Sequence, residues 1–346
     1  MTTKTKDILT KATRIVAFVL CACIMFSFIS AYCERKTYNG SWNYMSKLNE
    51  FYGMKKNSLD YIGVGSSHMY CTLNPLEVWN ETGAAGFVLA TQQQPLRASY
   101  HYIKEALRTQ SPKYVILEGY MICGESTYDN AVLYDAIDPL RFSLNKIEMI
   151  NSLVEYDKRP DFYFNVLKYH TRWNSLTPNE VNVLFDEHID TYKGFVALDG
   201  NFEGQNIVPD YENTKDIELS EFNTDILNDI YDLVEKSGAE LVVMFAPYDA
   251  SNPALAERTK ALTKWAEGKG VDVLDYSTMF DELDIDPAND YFDGGHLDCS
   301  GAAKVSVHFA DYLADKGVGK NELIDTEKWQ EDYNAYVAAF PGEIAD

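Results

Sequence analysis

Positive charge is scarce in this sequence: 30 Lys and Arg stand against 53 Asp and Glu, a net of −23. The first 36 residues hold six of the basic residues and two acidic ones, Asp7 and Glu34. That leaves 24 basic and 51 acidic residues, a net of −27, for the rest. Such a surface repels nucleic-acid phosphates and anionic lipid headgroups, so no nucleic-acid partner is expected. Histidine and cysteine are also few, at six each. Cys71, Cys123 and Cys299, the cysteines outside the N-terminal apolar run, are odd in number and lack metal-ligand spacing. Gly63-x-Gly65 has no third glycine, which argues against dinucleotide binding. No Lys or Arg follows that turn closely, and no carboxylate pair suggests Mg²⁺, which argues against phosphate chemistry. No metal or cofactor is expected. Internal repeats and low-complexity segments are absent.

One long hydrophobic run is present. Ile15 to Cys33 carries no charge over 19 residues, close to the ~20 that cross a bilayer as a helix. Basic residues precede it, so residues 1–14 are expected in the cytoplasm and the bulk of the chain outside. A cleaved signal peptide with Ile29-Ser30-Ala31 as its site is the rival, but the run exceeds a signal core of ~7–15 residues. Leu20-Cys21-Ala22-Cys23 resembles a lipoprotein acylation site only superficially, because the apolar run continues past Cys23.

Beyond a polar, aromatic tether at 34–57, short apolar strands alternate with helices. Strands are expected at Leu59–Ile62, Gly86–Ala90, Tyr114–Glu118, Leu241–Phe245 and Val271–Asp275. Helices are expected at Leu73–Glu81, Leu96–Arg108, Glu218–Lys236, Pro253–Lys269 and Ala302–Lys316, the last capped by Ser300. This alternation argues for a three-layer α/β/α sandwich with a mainly parallel sheet. Residues 120–216 break the pattern, apart from a helix expected at Ile147–Tyr156, and are read as an insertion capping the sheet's carboxyl edge. A helical tail, with a helix at Glu327–Ala339, follows position 320.

The first strand runs into Gly63-Val64-Gly65-Ser66-Ser67-His68. A serine on a tight strand-to-helix turn is exposed, and its N–H points where its hydroxyl points, so one residue can supply a nucleophile and part of an oxyanion hole. A plain turn of small residues reads equally well from this stretch alone. Far downstream, Asp293 precedes His296 by three in a glycine-bearing loop. A serine needs a base, and the base needs a group to orient its other nitrogen.

Gly65-Ser66-Ser67 with Asp293-Gly294-Gly295-His296 resembles the first and last blocks of the SGNH (GDSL-type) hydrolase superfamily. The style is that of the membrane-anchored Gly-Ser-Ser branch, which includes D-alanyl-lipoteichoic acid biosynthesis and alginate O-acetylation proteins. The resemblance covers roughly 58–120 and 218–317, within an SGNH-like domain at 58–320. It implies Ser67 as nucleophile, His296 as base, Asp293 as its orienter, and an acyl-serine intermediate. The superfamily's glycine after the second strand and Asn after the third are missing here. Their loops read Thr91-Gln92-Gln93-Gln94-Pro95 and Glu118-Gly119-Tyr120-Met121, so Gln93, Gln94 and Gly119 are the candidate oxyanion donors. His170, Arg172 and Trp173 are candidates for an anionic or sugar part of the substrate, since Trp stacks and Arg pairs with carboxylate or phosphate; a structural Arg–Trp contact fits them as well. Glu118 reads as a pocket residue or a buried, paired carboxylate, and His68 as a cleft residue or a diverging neighbour. His101, His188 and His308 look like ordinary helix or surface positions. If the triad assembles, Cys71 and Cys299 approach each other, as buried thiols in preference to a disulfide.

The expected function is a membrane-anchored, extracytoplasmic serine esterase or O-acyltransferase acting on acyl esters of an envelope glycopolymer or on small esters. The alternative is a non-catalytic protein of the same fold that binds or helps assemble such a polymer. A His296 Nε2 far from Ser67 Oγ would favour the alternative.

Overall fold

The computed structural model describes residues 3–33, 44–123, 128–176, 191–200, 202–247 and 253–341. The chain forms two compact units, 1–38 with 154–188, and 39–153 with 189–346.

The first unit is built on α1 (Thr3–Cys33), which continues the apolar run back through the basic residues. Among the described residues it is the one helix long and apolar enough to cross a membrane, and none of its apolar window is buried. Against its C-terminal turns pack the short helix α9 (Asn165–Tyr169) and a 3₁₀ turn at His170–Asn174, and α8 (Arg159–Tyr163) packs on α9. Part of the segment expected to cap the sheet therefore belongs to the unit of the apolar helix. His188 and residues 34–43 of the expected tether lie outside the described residues.

The second unit is α/β. Its five strands are β1 (Tyr61–Gly65), β2 (Gly86–Ala90), β3 (Tyr114–Glu118), β4 (Glu240–Phe245) and β5 (Asp272–Asp275). They pair in parallel in the order β2-β1-β3-β4-β5. The three middle-order strands are buried along their lengths, apart from Glu240, as parallel sheets covered on both faces require. On one face, Tyr61, Val88, Ile116 and Val242 share a core with Phe309 and Leu313 of α12 (Cys299–Asp315). The Tyr61 and Phe309 rings meet edge-on at 5.2 Å, and α4 (Pro75–Thr82) packs beside α12. Elsewhere α5 (Leu96–Ala106) and α10 (Glu221–Ser237) pack on each other and on β1 and β4 respectively. Helix α11 (Pro253–Lys269) contacts β5.

Three segments differ from expectation. The second half of the tether is α2 (Tyr44–Gly53), whose Leu48 and Phe51 are buried, Phe51 against Phe87 of β2 at 5.3 Å. Apolar side chains inside a polar stretch found a partner face there. The start of the insertion adds α6 (Asn130–Ile137) ahead of the expected helix, which occurs three residues earlier as α7 (Leu144–Leu153) and packs on α5, with Asn145 Oδ1 2.9 Å from His101 Nδ1. Residues 193–198, inside the insertion, thread into the core: Val88 N–H donates to Lys193 O at 2.9 Å and Val196 N–H to Tyr70 O at 2.8 Å. Gly194 there has φ +87°, and a Cβ would stand 1.9 Å from Val88 O, so only glycine permits this approach. The terminal helix α13 (Thr326–Ala339) buries Trp329 and Tyr336.

Candidate active site

In a sheet of this order, β1 and β3 are neighbours whose connections leave in opposite directions. The crevice beyond their carboxyl ends is where such folds bind ligands. Gly65 ends β1 at that point. A Cβ on it would lie 2.5 Å from Glu118 Cβ and 3.1 Å from Met69 Cβ, so glycine lets the end of β3 close on the turn. Buried Glu118 then holds the turn. Its Oε2 accepts from Ser66 N–H at 3.1 Å and Ser66 Oγ at 2.8 Å, and its Oε1 accepts from Tyr120 N–H at 2.5 Å. Burial raises the Glu118 pKa, against the opposing pull of those three donors. Ser66 also caps the one-turn helix α3 (Ser67–Tyr70), its Oγ accepting from His68 N–H at 3.3 Å. The clamp fixes the peptide directly before Ser67.

The partner of Ser67 comes from a hairpin of β6 (Tyr291–Asp293) and β7 (His296–Leu297), with Gly294-Gly295 as its turn. The pairing sets Asp293 opposite His296. Asp293 Oδ1 accepts from Gly295 N–H at 2.8 Å and lies 2.8 Å from His296 Nδ1, with Oδ2 at 3.0 Å. His296 Nε2 is 2.8 Å from Ser67 Oγ. A carboxylate at Nδ1 keeps the ring proton there and leaves the Nε2 lone pair to accept from the serine. Burial pushes the Asp293 carboxyl up, but the Gly295 N–H and the His296 ring outweigh it, and the net shift is downward. Asp293 therefore stays ionised beside the imidazole.

The hairpin is pinned from below. Buried Asp290 accepts from Ser300 Oγ at 2.7 Å, Lys304 Nζ at 2.6 Å and Asp286 N–H at 2.6 Å. Asp298, two residues after His296, caps α12 by accepting from Gly301 N–H at 3.0 Å. The helix cap is thus Asp298, and Ser300 faces Asp290 instead.

His68 lies in the site. Its ring stacks on Tyr120 at 4.0 Å and sits 5.1 Å from the His296 ring. Burial, and then the neighbouring His296, lower its pKa to about 3, so it is neutral at physiological pH. Tyr120 escaped the sequence reading, because nothing in a loop tyrosine two residues past a strand marks it for stacking on a residue 52 positions earlier.

The candidate oxyanion donors are placed differently from the triad. The Gln94 amide is buried, donating to Ser99 Oγ at 3.0 Å and accepting from Thr91 Oγ1 at 3.2 Å. The Gly119 N–H donates to Met244 O at 2.9 Å, and a Cβ there would strike Phe245 at 2.3 Å. Gln93 is exposed, with a left-handed φ of 49°. Ser67 N–H has no protein acceptor among the described residues. His170, Arg172 and Trp173 belong to the unit of α1, where Arg172 Nη1 donates to Cys33 O at 3.1 Å. Cys71 and Cys299 are buried and form no disulfide. Among the described residues no group of three His, Cys, Asp or Glu could hold a metal.

No family model matches the chain, and no curated protein matches it.

Proposed function

We propose that the chain is a membrane-anchored, extracytoplasmic serine esterase or O-acyltransferase of SGNH type, acting on acyl esters of an envelope glycopolymer. The observation that carries this reading is the relay Asp293–His296–Ser67, with links of 2.8 Å at both nitrogens, at the switch point of a parallel sheet.

The chemistry follows from the geometry. Ser67 Oγ attacks the ester carbonyl as His296 Nε2 takes its proton. Asp293 holds the tautomer and stabilises the imidazolium. The oxyanion forms over the turn, where Ser67 N–H supplies a donor; one such donor is worth about 10²–10³ in rate. His296 then protonates the leaving alcohol, and water or an acceptor hydroxyl cleaves the acyl-serine by the reverse path. The acidic surface and the apolar α1 fit an outward-facing enzyme that works on uncharged esters near a membrane.

The test is turnover of short-chain p-nitrophenyl esters by the full chain in detergent, beside Ser67→Ala. Loss of hydrolysis and of fluorophosphonate labelling in Ser67→Ala is expected. Equal rates in the two proteins would remove Ser67 from the reaction and leave polymer binding as the better reading.

A further inference from the structure

The segment 159–176, beside the C-terminal half of α1, has a surface that the proposed chemistry does not use. Three contacts tie the two in parallel order. Arg172 Nη1 donates to Cys33 O at 3.1 Å, Val166 N–H donates to Ser30 Oγ at 3.1 Å, and the Phe164 and Phe26 rings meet edge-on at 5.7 Å. At 1.5 Å per residue, the uncharged run Ile15–Cys33 is about 28 Å long, nearly the ~30 Å of a bilayer's hydrocarbon core. If Cys33 marks the outer boundary of that core, Ser30 lies about 5 Å inside it and Phe26 about 10 Å inside. Like α1 beside it, the segment therefore rises from acyl chains at Phe164 to headgroup level at Arg172.

Its composition suits that path. Phe164 is 48% exposed, Leu167 46% and Trp173 71%, with Trp173 at the shallow end where aromatic belts lie. Arg159, Lys168 and Arg172 stand against Asp161 alone, a local positive excess in a chain of net −23. The backbone is mostly helical, α8 and α9 followed by the 3₁₀ turn. The Val166 N–H, in the first turn of α9 and without an intrahelical acceptor, is met by Ser30 Oγ of α1.

We infer that residues 159–176 form a second, interfacial membrane element. It lies in the outer leaflet of the membrane that α1 crosses, with Trp173 and Arg172 at headgroup level and Phe164 and Leu167 among the acyl chains. This rests on the anchored reading of α1. Two contact points with one leaflet would restrict the tilt of the unit, which a single helix cannot do.

The test uses the full chain in nanodiscs of phosphatidylcholine with plain acyl chains or chains brominated next to the carbonyl, at the depth proposed for Trp173, wild type beside Trp173→Phe. Bromine quenches indole on contact, and Phe leaves a surface position packed as before. We expect brominated lipid to quench the wild-type emission and that component to be lost in Trp173→Phe. A chain retained in the discs but quenched equally with and without Trp173 would overturn the interfacial placement. So would a Trp173 open to aqueous iodide in lipid-only discs, the result expected if another protein covers this face. A chain extracted from membranes by alkaline carbonate would overturn the anchor itself, a separate failure.

Discussion

Glu118→Gln tests whether the turn beneath Ser67 is held by a carboxylate. The substitution keeps shape and volume but replaces one acceptor oxygen by an NH₂. Both oxygens of Glu118 accept from backbone N–H groups, Oε2 from Ser66 and Oε1 from Tyr120. Whichever way the amide turns, its NH₂ faces one of those donors. Ser66 Oγ can rotate to adapt, but a peptide N–H cannot. One buried N–H is left without an acceptor, a loss of about 1–3 kcal/mol. Relief of that clash moves the Ser66–Ser67 peptide, and a displacement of about 1 Å at a reacting group costs on the order of 10²-fold in rate. Urea denaturation should therefore show Glu118→Gln less stable by that amount, with ester turnover reduced about a hundredfold. Glu118→Ala, which strands all three donors, should be worse in both. A Glu118→Gln protein with wild-type stability and turnover would refute the clamp and make Glu118 an ordinary buried acid.

Two further outcomes concern buried charge in the α/β unit. Glu77 is buried in α4, where burial first, and Glu81 in addition, raise its pKa to about 7 despite Tyr333 nearby. Between about pH 4.5 and 7 the folded state holds a proton that the unfolded state has released. Stability therefore falls as pH rises through that window, by up to about 3 kcal/mol. Glu77→Gln should flatten the urea midpoint across that range and raise it at pH 8; a midpoint that still falls equally would put the cause elsewhere. Lys193 lies between Glu50 Oε1 at 2.5 Å and Asp332 Oδ2 at 2.6 Å, joining α2, the 193–198 strap and α13. Lys193→Met leaves two buried carboxylates facing each other and should cost about 3–5 kcal/mol by denaturation, whereas a loss below about 1 kcal/mol would mean that water reaches the cluster.

The strands and most helices were legible because local pattern is enough for them. Gly86–Ala90, Tyr114–Glu118 and Pro253–Lys269 occur with the expected bounds, since each run is apolar or amphipathic and ends at a turn former or a loop. In the insertion only the helix read at Ile147–Tyr156 was legible, and it occurs as α7 at Leu144–Leu153. The other short helices there lack a strong period of their own, and faces are chosen by partners distant in sequence: α5 for residues 144–153 and α1 for 165–174. The cap of α12 shows the same limit at one residue. Asp298 and Ser300 are both good caps by type, and only the fold gives Ser300 a different partner in Asp290.

The sequence by itself determined that a serine would stand on a strand-to-helix turn and that an Asp would lie three residues before a His. Those are properties of neighbouring residues, set by side-chain alternation and glycine placement. It likewise determined one uncharged stretch of bilayer length. Only the tertiary structure decided that Ser67 and His296, 229 positions apart, meet at hydrogen-bond distance. That distance depends on the order of five strands and on the hairpin after the last of them. Tertiary structure also decided which polar groups near the turn are already engaged. The Gln94 amide and the Gly119 N–H look available as letters, yet in the fold each has a partner, because buried donors are satisfied by whatever acceptor packing brings within reach.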